Sequence, residues 1–267
     1  MLLSGLIDVF YKNVYYIVIG RYYSATQLGQ YTRAEQFSTI FSSNLTSVVQ
    51  RVSYPVLSSI QEEPERLRDA YRKIIKVTML ITFALMFGLA AIAKPLIVIL
   101  IGEKWLMAVP FLQIICFSEM LYPLHAINLN ILQVRGYSGL FLKLEIVKKI
   151  IAVIPIMIGI FWGINYMLWG AVCISLVSYI LNSYYSGRLI DYSTVKQVKD
   201  IFPCFLVSSL VALLMWGITF LHFNFLVTLL LQVSVGILLA IVAYERMRLE
   251  EYKEIRRIIL SIIRKNS

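Results

Sequence analysis

Charged residues are scarce in this chain of 267 residues: 15% are Asp, Glu, Lys or Arg, whereas 59% are hydrophobic. A soluble domain carries about 25% charged residues, which its surface requires. Together with a mean hydropathy of +0.76, this shortage excludes a soluble globular domain. The composition therefore predicts an integral membrane protein.

Cysteine and histidine, which supply disulfides and metal ligands, are also scarce. Cys116, Cys173 and Cys204 lie in separate apolar segments, and neither His125 nor His222 has a partner at ligand spacing. The sequence also lacks a nucleophile motif, a phosphate-binding glycine loop and an HExxH motif. We therefore expect no disulfide framework, no metal site, no cofactor and no enzymatic activity.

The hydrophobic residues fall into blocks of about 20, the length that a helix needs to cross about 30 Å of hydrocarbon. Strands of a membrane barrel would be shorter and would alternate apolar with polar residues. We therefore predict an all-α integral membrane protein with eight transmembrane helices, at 3–20, 34–59, 74–93, 107–133, 140–161, 164–185, 201–221 and 223–243. A short apolar piece at 95–105, beginning at Pro95, is expected to lie separately at the outer face.

The distribution of Lys and Arg predicts the orientation of these spans. Alternate loops carry only Arg21, Arg33, Lys94 and Lys104. The other loops and the C-terminal segment are rich in cations: Arg66, Arg68, Arg72, Lys73, Lys76, Arg135, Lys143, Arg188, Lys196, Lys199, Arg246, Arg248, Lys253, Arg256, Arg257, Arg264 and Lys265. We therefore predict that both termini are cytoplasmic. The net charge of +10 is then a topology signal, and no nucleic-acid partner is expected.

The C-terminal segment, residues 246–267, places apolar residues at helical spacing among Arg and Lys. This pattern predicts an amphipathic helix on the anionic cytoplasmic leaflet. A helix that binds a partner protein is the alternative.

The second predicted span is unusually polar. One row of side chains recurs at intervals of three or four residues, which places it on one helix face: Glu35, Thr39, Ser42, Thr46, Gln50 and Ser53. A second row runs beside it: Ser43, Ser47, Arg51, Tyr54 and Ser58. Because polar side chains facing lipid are costly, we predict that this helix borders a water-filled cavity. Alternatively, the hydroxyls bond to their own helix and pack against its neighbours.

Asp8, Lys12 and Glu119 are further ionisable residues inside predicted spans. Asp8 and Lys12 are one turn apart in the first span and can pair, although Lys12 could also extend to the interface. Glu119 lies in the fourth span without a partner nearby in sequence. Intramembrane carboxylates of this kind often bind ions or protons, so Asp8 and Glu119 are candidates for a coupling-ion site.

Four segments resemble a known family in their order and spacing. They are "IGRYYSATQLGQYTRAEQF" (19–37), "RVSYPVLSSIQEEPERLRDAYRK" (51–73), "KPLIVILIGEKWLMAVPFLQII" (94–115) and "INLNILQVRGYSGLFLKLEIVKK" (127–149). They resemble the C-terminal half of Wzx-type polysaccharide flippases, which form part of the multidrug/oligosaccharidyl-lipid/polysaccharide (MOP) exporter superfamily. The resemblance covers about residues 1–200.

The resemblance implies a protein of two six-helix lobes around a partly cationic cavity. Such proteins move undecaprenyl-diphosphate-linked oligosaccharides across the bacterial inner membrane by alternating access, for O-antigen, capsule or exopolysaccharide synthesis. Residues 1–187 would form the second lobe, residues 188–245 two extra helices and residues 246–267 the tail. The first lobe is absent, so we expect a truncated chain, or one that works with a missing N-terminal lobe or with other polysaccharide assembly proteins.

On this interpretation, seven residues are candidates for binding the lipid-linked oligosaccharide: Lys12, Glu35, Thr39, Ser42, Thr46, Gln50 and Arg51. The cations Lys12 and Arg51 would hold the diphosphate, while Glu35, Gln50 and the hydroxyls would bind or hydrate sugar. A multidrug-type efflux transporter of the same superfamily, a membrane polysaccharide polymerase or ligase, and a non-transporting scaffold are the alternatives.

Overall fold

The computed structural model describes residues 13–247 together with Tyr252 and Arg256. Within them every regular element is helical. The helices are α1 (13–22), α2 (Ala25–Ser59), α3 (Pro64–Ile101), α4 (Ala108–Glu119), α5 (Tyr122–Val134), α6 (Ser138–Ile151), α7 (Val153–Trp162), α8 (Ile164–Leu189), α9 (Thr194–Gly217) and α10 (Phe225–Arg246), with 3-10 turns at Glu103–Trp105 and Ile218–Leu221. The predicted all-helical class is confirmed.

Four of the described helical segments are long and apolar enough to cross a membrane: α3, α8, α9 with the 3-10 turn that follows it, and α10. The predicted span 34–59 lies within α2, while 107–133 is divided between α4 and α5, and 140–161 between α6 and α7. The first predicted span lies partly outside the described residues. The protein is thus a multi-pass membrane protein, and the count of eight spans stays a prediction.

Helix α3 lies at the centre of the bundle, where it contacts α2, α4, α5, α9 and α10. Its buried stripe recurs every three or four residues: Tyr71, Ile75, Met79, Phe83 and Met86. Pro64 stands at the start, where its missing N–H costs nothing. Gly102 ends the helix with a φ of 92°, a conformation that favours glycine. The packing around this helix holds α9 and α10 against the preceding helices.

The prediction of a separate apolar piece beginning at Pro95 is wrong. Helix α3 continues through Pro95 to Ile101 as one element of 38 residues. A proline removes one backbone hydrogen bond, and neighbouring helices can compensate for that loss inside a membrane protein. Here Pro95 is buried among such neighbours, so the helix extends past it.

The fourth predicted span is interrupted between Glu119 and Tyr122. Pro123, in the first turn of α5, has no N–H to donate to the carbonyl of Glu119. Ser175 of α8 donates a hydrogen bond of 2.9 Å to the carbonyl of the neighbouring Ser118. Backbone carbonyls in the bundle interior need hydrogen-bond partners. At this break, the side chain of Ser175 on α8 supplies one for the carbonyl of Ser118.

The loops between the predicted spans collect at two ends of the bundle. At the Trp105 end, Gln30 donates a 2.8 Å hydrogen bond to the carbonyl of Lys104, and Tyr23 donates one to the carbonyl of Gly159. At the Arg135 end, the Arg135 guanidinium donates to the carbonyls of Gln61 at 3.0 Å and Leu189 at 3.5 Å. Successive loops alternate between these ends, as the predicted topology requires. Which end is cytoplasmic stays a prediction.

The predicted tail helix, 246–267, lies outside the described residues except at Arg246, Met247, Tyr252 and Arg256. The ring of Tyr252 lies 6.0 Å from that of Tyr244 on α10. The guanidinium of Arg256 lies 2.9 Å from the carboxylate of Glu245. These two contacts join the described residues of the tail to the end of α10.

Candidate functional site

The polar row predicted on α2 divides into a buried part and an exposed part. Ser42, Thr46 and Ser53 are buried against α4 and α5. Ser42 Oγ donates a hydrogen bond of 2.6 Å to Glu119 Oε2 at the end of α4, and Asn130 of α5 donates one of 3.0 Å to Ser53 Oγ. These hydroxyls join helices within the bundle, which agrees with the alternative interpretation of the row as packing polar groups.

Glu35 and Thr39, at the start of the same row, lie near the Trp105 end. Tyr16 of α1 donates a hydrogen bond to Glu35 Oε2, and Thr39 donates one of 2.9 Å to the backbone carbonyl of Glu35. The ring of Tyr31 packs against that of Tyr16 with centroids 5.9 Å apart. Glu35 is thus a partly buried carboxylate between α1 and α2.

Gln50 and Arg51 lie on the part of α2 that no other described helix covers. We call this surface the open face of α2 and define it by Ile40, Ser43, Asn44, Val48, Gln50, Arg51 and Val52, all of which are exposed. Within the described part of the chain, Arg51 forms no ion pair. The open face therefore combines one available cation, several hydrogen-bonding groups and apolar surface along a single helix.

Two of the predicted site residues, Asp8 and Lys12, lie outside the described residues. Of the others, the structure brings Ser42 together with Glu119, and it places Gln50 beside Arg51. It does not join these two groups, because Ser42 faces α4 whereas Gln50 and Arg51 face outward.

A second polar group lies inside the bundle on α3, α5 and α8, and it contains none of the predicted site residues. Asn128 Oδ1 accepts hydrogen bonds from Tyr71 at 2.8 Å and from Ser186 at 2.6 Å. His125 Nε2 lies 3.2 Å from Ser175 Oγ, whose proton goes to the Ser118 carbonyl. The spacing of Ser175, Ser178, Asn182, Ser183 and Ser186 along α8 was the signal available in the sequence.

Glu145 and Lys148, one turn apart on α6, form an ion pair in which the side chains are 13% and 12% exposed. Among the described residues, no group of three His, Cys, Asp or Glu side chains is placed to hold a metal ion.

Comparison with known proteins shows which proteins this chain resembles. A family described as "Polysaccharide biosynthesis protein" matches residues 1–110. The lipopolysaccharide biosynthesis protein WzxC of Escherichia coli K12 is 24% identical over 58% of this chain and 32% of its own length. The resemblance to Wzx-type flippases is thereby confirmed.

Other relatives of this Wzx-like chain act in polysaccharide synthesis according to their names. The teichuronic acid biosynthesis protein TuaB of Bacillus subtilis (strain 168) is 25% identical over 87% of this chain and 49% of TuaB. The succinoglycan biosynthesis transport protein ExoT of Rhizobium meliloti is 31% identical over 39% of this chain and 21% of ExoT. The chain therefore spans about half the length or less of the curated relatives it matches.

The fold of the Wzx-like chain is also that of a solved flippase. The lipid II flippase MurJ, in an inward closed conformation, superposes with a TM-score of 0.69 and 15% sequence identity. The match covers 92% of this chain and 52% of MurJ. The helical arrangement is thus similar to that of about half of MurJ.

Proposed function

We propose that this chain forms one lobe of a transporter that flips a lipid-linked oligosaccharide between the leaflets of the bacterial inner membrane. The substrate would be an undecaprenyl diphosphate carrying a glycan, and transport would occur by alternating access between two lobes. Residues 1–187 would form the lobe, residues 188–245 two additional helices and residues 246–267 a cytoplasmic tail. The observation that carries the proposal is the open face of α2, which exposes Arg51 and Gln50 together with apolar and hydroxyl or amide side chains along one helix.

A site between lobes accounts for the composition of this face. An arginine exposed to hydrocarbon would be costly, whereas an arginine lining a water-filled cavity is not. Transporters built from structural repeats bind their substrates where the repeats meet. Because the matched relatives are about twice as long or longer, a second lobe would cover the open face in the complete protein.

Arg51 is the residue that we assign to the diphosphate. A diphosphate must keep a charge partner while it crosses a low-dielectric layer. The guanidinium suits this role because it offers several N–H donors in a planar arrangement that matches phosphate oxygens. Lys12 would supply a second cation, while Gln50 and the α2 hydroxyls would contact sugar.

We assign Glu119 and Asp8 to the binding of the ion or proton whose movement would be coupled to transport. Glu119 accepts the hydrogen bond from Ser42, so a change in its protonation or cation binding would alter a contact between α2 and α4. This contact provides a physical route from ion binding to movement of α2. Glu35 and Thr39 lie partly exposed on the same helix, whereas Thr46 is buried against its neighbours and would act through helix packing.

The test is substitution of Arg51 in the complete protein, with surface glycan measured in a strain that lacks the cognate flippase. We expect Arg51→Ala to reduce export at least tenfold at an unchanged membrane level, and Arg51→Lys to retain part of it because the charge remains. Arg66→Ala is the matched control: Arg66 is also exposed, with 67% of its side chain accessible, but it lies in the first turn of α3. Wild-type export by Arg51→Ala would refute the assignment of Arg51.

A further inference from the structure

A cavity of about 280 Å³ lies at the Trp105 end of the bundle and is lined by none of the residues of the open face of α2. It lies between α3, α4 and the end of α9. Ala91 and Val109 supply apolar surface, while Trp216 and Phe220 contribute aromatic rings. Lys94, together with Gln113 and Thr219, supplies the polar groups. The cavity therefore has a cationic edge and an apolar interior.

The polar groups at this cavity favour an anion. Lys94 is exposed and forms no ion pair with a described residue, and its Nζ lies 5.9 Å from the ring centroid of Phe225. Thr219 Oγ1 accepts a 3.0 Å hydrogen bond from Gln232, so its own proton can be donated to a ligand. An ammonium and a hydroxyl that line the same cavity are donors suited to phosphate oxygens.

The surface beside the cavity favours long apolar chains. Trp216 and Phe220 are 45% and 62% exposed, and Leu213 on the preceding turn of α9 is 61% exposed. Because aromatic side chains of this kind commonly lie at the depth of lipid headgroups, the cavity lies where a headgroup passes into acyl chains. A ligand that fits both parts carries an anionic phosphate and hydrocarbon tails.

We propose that this cavity binds an anionic phospholipid of the surrounding bilayer, with its phosphate at Lys94 and Thr219 and its acyl chains along α9. Such a lipid would bridge α3 and α9 next to Pro95, where one backbone hydrogen bond of α3 is missing. The site is separate from the open face of α2 and does not depend on which substrate is transported. Lys94 extending to the interface without a bound lipid is the competing explanation.

The test compares lipids on the purified full chain. Thermal unfolding in detergent is followed while phosphatidylglycerol, phosphatidylcholine or water-soluble glycerol 3-phosphate is titrated in. We expect phosphatidylglycerol to raise the midpoint of unfolding well above the effect of phosphatidylcholine, and glycerol 3-phosphate to have no effect because it lacks acyl chains. A full response to glycerol 3-phosphate would overturn the lipid assignment in favour of an anion site.

Variants then locate the site. Lys94→Gln should weaken the apparent affinity for phosphatidylglycerol roughly fivefold, the factor that corresponds to one basic residue at a charged lipid surface. Lys104→Gln is the matched control, because Lys104 lies at the same end but outside the cavity, near the Trp105 ring. Thr219→Val gives a second, uncharged test and should also weaken binding. Equal affinity for wild type, Lys94→Gln and Thr219→Val, or an equal loss in Lys104→Gln, would overturn the proposal.

Discussion

Ser42 and Glu119, which are separated by 77 residues in sequence, are joined by a 2.6 Å hydrogen bond between α2 and the end of α4. Ser42 is 1% exposed, so this contact lies in the interior of the bundle. Its donor is neutral and its acceptor is a carboxylate. The pair is therefore a specific hydrogen bond that joins α2 to α4.

Removal of this hydroxyl should destabilise the protein. We expect Ser42→Ala to lower the free energy of unfolding by about 1–3 kcal/mol, because the partly buried carboxylate of Glu119 loses a donor. The neighbouring Ser43→Ala is the control, since Ser43 is exposed and bonds only to the carbonyl of Thr39 on its own helix. Denaturation in detergent micelles measures both changes. An equal effect of the two substitutions would show that the hydrogen bond between Ser42 and Glu119 does not stabilise the protein.

The attachment of α9 to α3 should depend on Asp200. Arg72 Nε and Nη2 lie 2.5 and 2.7 Å from the two carboxylate oxygens of Asp200, and Tyr192 donates to the same carboxylate at 2.6 Å. Burial and the neighbouring Asp200 raise the pKa of Tyr192, so this phenol stays protonated at neutral pH. Asp200→Asn should cost about 1 kcal/mol, a modest value because half of Arg72 remains exposed.

The control for this substitution is Asp191→Asn. Asp191 is 85% exposed and lies 3.7 Å from Arg68, so the loss of its charge should change stability by less than about 0.5 kcal/mol. Asn also tolerates the left-handed backbone of this position, with a φ of 51°. Urea or thermal unfolding at low and high salt distinguishes the two sites. A larger effect at Asp191 would show that Asp200 is not the main attachment.

Close packing of α7 on α8 requires glycine at position 170. A Cβ there would lie 2.6 Å from the Cβ of Pro155, which is closer than two carbons can approach. We expect Gly170→Ala to destabilise the protein by about 1–3 kcal/mol through overpacking. In contrast, a Cβ at Gly88 on α3 meets no atom within 4 Å, so Gly88→Ala should be neutral or stabilising by up to about 1 kcal/mol. Melting temperatures of the two variants test this contrast.

The predicted orientation can be tested with single cysteines. In a background where Cys116, Cys173 and Cys204 are replaced by Ser or Ala, Glu103→Cys at the Trp105 end should react with a membrane-impermeant maleimide in intact cells. Glu62→Cys at the Arg135 end should react only after permeabilisation, because cation-rich loops face the cytoplasm. The reverse labelling pattern would place the Arg135 end outside.

The sequence by itself determined the class of protein and the approximate positions of its apolar helical segments. Long apolar blocks must form helices in a membrane, since the backbone has no other partners there. The resemblance to Wzx-type flippases was likewise readable from four segments. These features depend on nearby residues and on hydropathy, which are properties of the sequence alone.

Only the tertiary structure decided which polar residues lie inside the bundle. The helical repeat of 3.6 residues per turn places Ser42, Thr46 and Gln50 in one row. Helices α4 and α5 cover the first two of these residues and leave Gln50 exposed. The partners of Asn128 lie on α3 and α8, and the continuation of α3 through Pro95 depends on the helices around it. Burial and pairing are set by contacts between helices that are distant in sequence, so helical periodicity can indicate a face but cannot identify what covers it.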